Sequence, residues 1–530
     1  MTQTGRVRSL LLGLVALVAV VWLLGSAIST DAKRGVFLLV AVIVVVAVSS
    51  KTVSDWRTGV YLFLVWLLFE DLIRKYMGNN MLIYFGKDAL VGVTYIAFVM
   101  ARLRGDVRKS FSPPFKYVLG MFVMLGLAQV FNANSPSVWY GLLGLKLYFY
   151  YIPLMFVGYA LVRNERDLQN FFFVNAGLAA VISVVGICQS VFGLDFLNPH
   201  SGQDIEYLGH LVRVTPSGLL VPRPPSVFVS DGRFAWYLIV AMPLALGAAG
   251  YLLLRSRRGR KLVFPALGLV AVAATVSGSR GGFIWVAASS VVVPVGMLWG
   301  APAKVGEGYR LVKAIRRSFI FVTFAVVAMA TLFPQVVGSH WAFYRETMSP
   351  DSADNELVER AWAYPVRSFE WVFWDPDWIS GHGIGTASLG VQYVSRIMGA
   401  PPTNLFSESG IGFLTIELGI LGPILWLLWA GGLVFAGCKL LLRLKGTWGF
   451  PPALAIVWYA FVLLFPLTWG GIDPYENFVN NAYLWLLVGI LFRLPGLVAE
   501  SKLAEQEAHA NELVLVPAST ADRRRLALSR

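Results

Sequence analysis

Residues 232–300 read GRFAWYLIVAMPLALGAAGYLLL-RSRRGRK-LVFPALGLVAVAATV-SGSRGG-FIWVAASSVVVPVGMLWG. Three apolar runs, near 232–254, 262–278 and 283–300, are each about as long as a membrane-crossing helix. The two connections differ. RSRRGRK carries five cations in seven positions. SGSRGG carries one, among small residues. Short basic connections stay on the cytoplasmic side of a membrane. RSRRGRK is therefore read as inside and SGSRGG as outside.

The same alternation extends in both directions. Apolar stretches lie near 9–28, 35–50, 58–73, 88–104, 117–131, 138–162, 170–192, 232–254, 262–278, 283–300, 318–335, 410–436, 452–469 and 482–497, about fourteen spans and no fewer than twelve. With the N-terminus inside, inner connections hold Lys51 and Arg57, the Arg102–Lys116 group, Arg163 and Arg166, RSRRGRK, the Lys304–Arg317 group, and Lys439, Arg443 and Lys445. Shifting the count by one span would put RSRRGRK outside. Arg6 and Arg8 precede the first run, which is read as an uncleaved span rather than a signal peptide, being long for one. Both termini are then cytoplasmic.

Composition agrees. Of 530 residues, 57% are hydrophobic and 14% charged, and mean hydropathy is +0.66. Soluble domains carry about 25% charged residues. A soluble enzyme, a secreted disulfide scaffold and a disordered chain are excluded. The net charge of +14 resides mostly in short inner connections, so it orients the chain and implies no nucleic acid. Cys188 and Cys438 fall near opposite membrane faces and form no bridge. The expected architecture is an all-α polytopic bundle with a large, partly helical outer loop. Its parts are N-terminal spans (1–57), a membrane core with an outer loop at 193–232 and the SGSRGG turn (58–335), the large loop (336–409), C-terminal spans (410–497) and a cytoplasmic tail (498–530). No phosphate-cradling Walker motif appears, so ATP-driven transport by this chain alone is not expected.

Chemistry gathers on the outer side. Arg280 lies among residues that leave its guanidinium and the nearby amides open. Ser279, Arg280 and the glycines suit a phosphate or pyrophosphate; an arginine snorkelling at the interface is the other reading. The 193–232 loop places Arg213, Arg223 and Arg233 outside, as solvated charges or as an electropositive rim. The large loop carries Asp375, Asp377, Trp378 and His382 within WVFWDPDW and GHGIGT. Such residues grip sugars or pack a loop on itself. Glu408 precedes a helix that also contains Glu417, an intramembrane carboxylate and hence a functional or pairing site.

The ordered set resembles the O-antigen ligase/polymerase superfamily of bacterial membrane glycosyltransferases. The matching pieces are FEDLIRK (69–75), GLLGLK (141–146) through YIPL (151–154), RPPSVF (223–228), SGSRGG (277–282), GHGIGT (381–386) and ELGILG (417–422). They cover the chain from about 60 to 490. The resemblance implies an undecaprenyl-pyrophosphate-linked oligosaccharide as donor, on the periplasmic face of the inner membrane, with no cofactor and no catalytic metal. It implies arginines that hold the pyrophosphate, here Arg280 with Arg223, Ser279 and Arg233. Partners would be membrane lipids, with a chain-length regulator and a flippase as further candidates. The ligases carry a His-Asn pair nine residues before the Glu of ELG. This chain has Glu408-Ser409 there, which points to the polymerase-like branch. Glu408 is then the proton acceptor, Arg280 stabilises the leaving group, and His382, Asp375, Asp377 and Trp378 read sugars. The alternatives are an O-antigen ligase or protein O-oligosaccharyltransferase of the same superfamily, and, from another class, a lipid-linked oligosaccharide flippase. Transporters show internal repeats and mid-membrane charges; no repeat relates the halves here.

Overall fold

The structure, a computed structural model, describes residues 32–77, 81–107, 111–199, 211–215, 217–255, 259–300, 305–349 and 358–515. Apart from one two-stranded hairpin, its regular elements are helices, as expected of an all-α membrane protein. Among the described residues eight helices are long and apolar enough to cross a membrane, or nine if one bent pair is a single span. The apolar run at 9–28 and the end of the tail lie outside the described residues.

The chain divides into two compact units, 1–109 and 110–530. The first contains α1 (Ala32–Ser54), α2 (Trp56–Tyr76) and α3 (Met81–Leu103). Gly59 of α2 has no side chain where Thr52 of α1 and Thr94 of α3 converge; an added Cβ would lie 2.4 Å from Thr52 Cγ2. FEDLIRK forms the last turns of α2. There Lys87 of α3 is 3.0 Å from Glu70, and Arg74 is 3.2 Å from Asp71, all four buried. Charges in an apolar bundle persist when paired in this way.

The second unit is built around α8 (Asp231–Leu254). Eighty-nine per cent of its apolar window is buried, as befits a helix that is hydrophobic all round. Ser230 caps it by accepting the Arg233 N–H at 3.3 Å. It packs against α7 (Glu165–Phe192), α9 (Arg260–Thr275), α10 (Arg280–Trp299) and α17 (Phe450–Val462). Earlier in the unit come α4 (Lys116–Gln129), α5 (Val138–Phe149) and α6 (Leu154–Leu161). α6 lies on α19 (Phe478–Leu515) through a glycine crossing. A Cβ on Gly158 would sit 2.2 Å from the Leu486 carbonyl, and one on Gly489 2.1 Å from that of Met155. Small residues let helices approach closely where lipid supplies no hydrophobic drive.

Two segments depart from uniform helix in ways that shape the outer side. The 193–232 loop contains a hairpin of β1 (Val212–Val214) and β2 (Leu220–Pro222), with Arg213 opposite Val221. And 410–436 is not one span. α15 (Gly410–Leu418) breaks at Gly419, and α16 (Leu421–Leu444) continues beyond. Gly419 has φ +69, and a Cβ there would fall 2.2 Å from the Ile379 carbonyl. The His382 N–H donates to the Ile416 carbonyl at 2.7 Å. The large loop is thus wedged into the break. It is partly helical: α11 (Val305–Leu332) turns by 110° into α12 (Pro334–Met348), and a π-turn (Glu359–Ala363), α13 (Tyr364–Val372) and α14 (Val391–Met398) follow.

Gly158→Ala should lower stability by about 1–3 kcal/mol through overpacking of α6 on α19. Gly177→Ala in α7, with no neighbour within 4 Å of the new methyl, should be neutral or stabilising by up to about 1 kcal/mol. Thermal melting of the two variants in one detergent checks the contrast.

Candidate functional site

A cavity of about 990 Å³ opens in the second unit. Its polar wall starts from one glycine. Gly278 has φ +63, a backbone state that costs other residues strain. A Cβ there would meet Arg223 Cγ at 2.8 Å and the Pro222 carbonyl at 3.1 Å. The Ser277–Ser279 turn can therefore lie directly on Pro222–Arg223. Ser279 caps α10, accepting the Gly282 N–H at 3.3 Å. This aims the start of α10, with its positive dipole end, at the cavity. Gly281 has nothing within 4 Å of where its Cβ would be and lines the cavity as bare backbone.

Three arginines share this wall. Arg280 and Arg213 lie against the same buried ring, their guanidinium carbons 5.6 and 5.7 Å from the centre of Phe343. Phe343 comes from α12, which is pinned to the hairpin. Its Glu346 accepts the Ser217 hydroxyl at 2.8 Å, and its His340 Nε2 is 3.0 Å from the Pro222 carbonyl. Arg223 forms an ion pair with Asp231 at the start of α8. The RPPSVF segment that carries it is held by Gln189 of α7, which accepts the Ser226 N–H at 2.6 Å and donates to the Ser226 carbonyl at 3.2 Å. Ser226 adopts φ +53 within that clamp.

Glu408 also lines the cavity, just before Ser409, which caps α15. Among the described residues it has no hydrogen-bond or ion-pair partner, which leaves its carboxylate available. Gly410 lies on the backbone of Thr468, where a Cβ would fall 1.9 Å from the carbonyl. Asp473 and Pro474 follow on the same wall. Burial pushes the Asp473 carboxyl above its ordinary value. The rest is aromatic and apolar: Trp236, Trp285, Trp426 and the π-turn Leu463–Leu467, where Pro466 interrupts the helix. From the large loop, Ala361 and Tyr364 also line the cavity, and Ala361 is anchored by the Trp469 indole N–H at 2.8 Å.

The structure thus brings Arg280, Arg223, Ser279 and Glu408 to one cavity, with Arg213. Arg233 is not on the wall; its guanidinium lies 4.6 Å over Phe478. His382, Asp375, Asp377 and Trp378 are not cavity residues either. His382 Nε2 is 2.6 Å from Asp375 Oδ2, the Asp377 N–H donates to Asp375 Oδ1 at 2.9 Å, and Trp378 packs edge-on to Phe373 at 5.2 Å. Asp375, Asp377 and His382 offer ligand atoms within 4.8 Å of one another, the described set that could take a cation. The GHGIG backbone is a packing device: a Cβ on Gly385 would lie 2.0 Å from the Tyr140 carbonyl.

The chain matches no known family, no curated protein and no solved structure. What the site can do is therefore read from its geometry. Guanidinium groups and a helix start share one cleft with two carboxyl groups, Glu408 and Asp473, and with an extensive aromatic and apolar wall. Such a cleft can hold an amphiphile by a di-anionic head and accept a proton beside it.

Sequence reasoning had not picked out Trp469 and Asp473. Their signal was WGGIDP (469–474), a polar, glycine-rich turn at the outer end of two apolar runs.

Gly278→Val should displace Arg223 and weaken binding of inorganic pyrophosphate by about tenfold or more, as backbone strain of about 1–3 kcal/mol requires; calorimetry on folded protein checks it. A second expectation concerns acid. Burial raises the Asp375 carboxyl, but the Asp377 N–H and His382 outweigh it and hold it below its ordinary 3.8. The stability this adds is fully present above 3.8 and is lost as pH falls through the lowered value. Thermal stability should therefore fall as pH drops through that lowered value, and Asp375→Asn should remove this component of the acid dependence, as melting temperatures of the two proteins across acid pH will check.

Proposed function

We propose that this chain is a multi-pass glycosyltransferase of the bacterial inner membrane. It polymerises or transfers undecaprenyl-pyrophosphate-linked oligosaccharide units in the synthesis of a surface polysaccharide such as O-antigen, capsule or exopolysaccharide. The reading includes about fourteen spans, cytoplasmic termini and a cavity that faces the periplasm. The observation that carries it is the meeting of Arg280, Arg223, Arg213 and the α10 start with Glu408 in one cleft. Glu408-Ser409, where the ligases carry His-Asn, supports the polymerase-like branch.

In this mechanism the donor pyrophosphate lies against the arginines and its lipid follows the apolar wall. An acceptor sugar hydroxyl attacks the anomeric carbon while Glu408 takes its proton. The bond from that carbon to the phosphate oxygen breaks, and the electron pair leaves with the polyprenyl pyrophosphate. Arg280 and Arg223 stabilise the charge that develops there. A single displacement inverts the anomeric centre. Guanidinium charge takes the place a metal ion would fill. His382, Asp375, Asp377 and Trp378 stand above as acceptor-reading candidates, and Arg233 as a more remote cation.

Purified protein given lipid-pyrophosphate-linked oligosaccharide and no other acceptor should release polyprenyl pyrophosphate and build a ladder on a gel. Arg280→Ala should slow turnover by roughly 100-fold or more, and Glu408→Gln by roughly 100-fold to 10,000-fold. Near wild-type turnover in both folded variants would sink the assignment. Product formed only with a lipid A-core or protein acceptor would make it a ligase. Donor crossing a sealed vesicle without transfer would make it a flippase.

A further inference from the structure

α15 and α18 (Asp473–Glu476) each line the cavity at one end and place a carboxyl group at the other. Glu408 precedes the start of α15 by two residues and Glu417 lies near its end; on α18 the pair is Asp473 and Glu476. The two inner carboxyls meet on a single hydroxyl. Ser388 Oγ is 2.8 Å from Glu417 Oε1 and 2.6 Å from Glu476 Oε1. Ser388, Glu417 and Glu476 are 2%, 0% and 2% exposed, so water does not mediate.

A serine hydroxyl has one proton to donate. It can satisfy one carboxylate, and the other contact then sets two oxygen lone pairs against each other. Both contacts are hydrogen bonds only if one carboxyl carries a proton of its own. The partners say which. Glu417 already accepts the Ala387 N–H at 2.9 Å on the oxygen that faces Ser388. Glu476 accepts only the Leu389 N–H, at 2.9 Å, and on its other oxygen. The titratable groups that face the pair are Tyr148, Tyr475 and Asp473, none of them cationic.

We propose that Glu476 and Glu417 share one proton through Ser388, in the order Glu476 O–H to Ser388 Oγ, Ser388 O–H to Glu417. This clasp ties the Thr386–Leu389 turn to α18, which begins at Asp473, and to α15, which Glu408 precedes by two residues. Glu417 and Glu476 are positioning residues for the cavity: they act through the helices they hold and touch nothing bound in it. The clasp is closed while the proton is present and opens as alkali removes it, leaving two buried carboxylates on one donor. It stands independently of the transferase reading, since the test below needs no glycan.

The test is infrared spectroscopy of the full chain in nanodiscs at neutral pH, followed by an alkaline titration. A carboxylic acid C=O band is expected in the wild type. It should persist in Asp473→Asn, which removes the other buried acid nearby. It should vanish in Glu476→Gln and in Glu417→Gln, since either amide supplies the missing donor without a proton. Glu476→Gln should also keep the neutral-pH melting temperature and move the alkaline melting limit upward, whereas Glu476→Ala lowers melting at every pH. A wild type without the band, or one whose band is removed by Asp473→Asn alone, overturns the proposal. So does a Glu476→Gln variant that is destabilised as much as Glu476→Ala with its alkaline limit unmoved. Should neither glutamine variant fold, the wild type decides: the band must be lost in the same alkaline step that lowers its melting temperature.

Discussion

Contact between the Ser277–Ser279 turn and the Pro222–Arg223 backbone fixes where positive charge stands in this protein. The two segments come from different connections, and only residue 278 without a Cβ lets them touch. Once they touch, Arg223 and Arg280 share a wall, and the α10 dipole points the same way. Like charges so close repel; at 4 Å two unit charges cost about 4 kcal/mol at an effective dielectric of 20. Asp231 beside Arg223 and the Phe343 ring beneath Arg213 and Arg280 offset part of this. Each cation–π contact contributes about 0.5–2 kcal/mol. A wall that concentrates cations in this way favours an anion over an empty cleft.

That arrangement explains why the connections around Pro222 are elaborate. A hairpin, a clamped Ser226 and a bent α11–α12 pair all converge on Pro222, and each leaves backbone groups that need partners. Gln189, His340 and Glu346 supply them. Irregular backbone near a bilayer persists where protein groups satisfy it. The polar residues of this region are therefore divided between holding the chain and facing the cavity. His340 and Gln189 hold; Arg280 and Glu408 face.

The same division marks what could be read from the sequence. Apolar runs are one-dimensional signals, so the helical membrane class was legible; Arg280, Arg223 and Glu408, each singled out by its local sequence, line one cavity. Glycines with small neighbours announced close approach, but not the partner: nothing in SGSRGG names Pro222, and nothing in GHGIG names Tyr140. The break at Gly419 was hidden because 410–436 is apolar throughout, and what ends the helix is Ile379, some forty residues earlier. Ser388 and Glu476 gave no signal at all. One lies in a loop and the other before the last span, and their meaning depends on a third residue.

The cavity is asymmetric, and that asymmetry constrains what can occupy it. Cations and a helix start stand at one side; Trp285, Trp426, Leu464 and Phe465 line another. A small hydrophilic anion would leave the aromatic wall facing water, which costs about 25 cal/mol for each Å² of apolar surface left uncovered. A plain lipid tail would set hydrocarbon against the guanidinium-lined wall. An amphiphile with a multiply charged head satisfies both walls at once. Glu408 lines the same cavity, where a third group could lose a proton. On the proposed reading the two follow one another: an anionic head neutralises the cationic wall, and Glu408 is the base that the transfer would use.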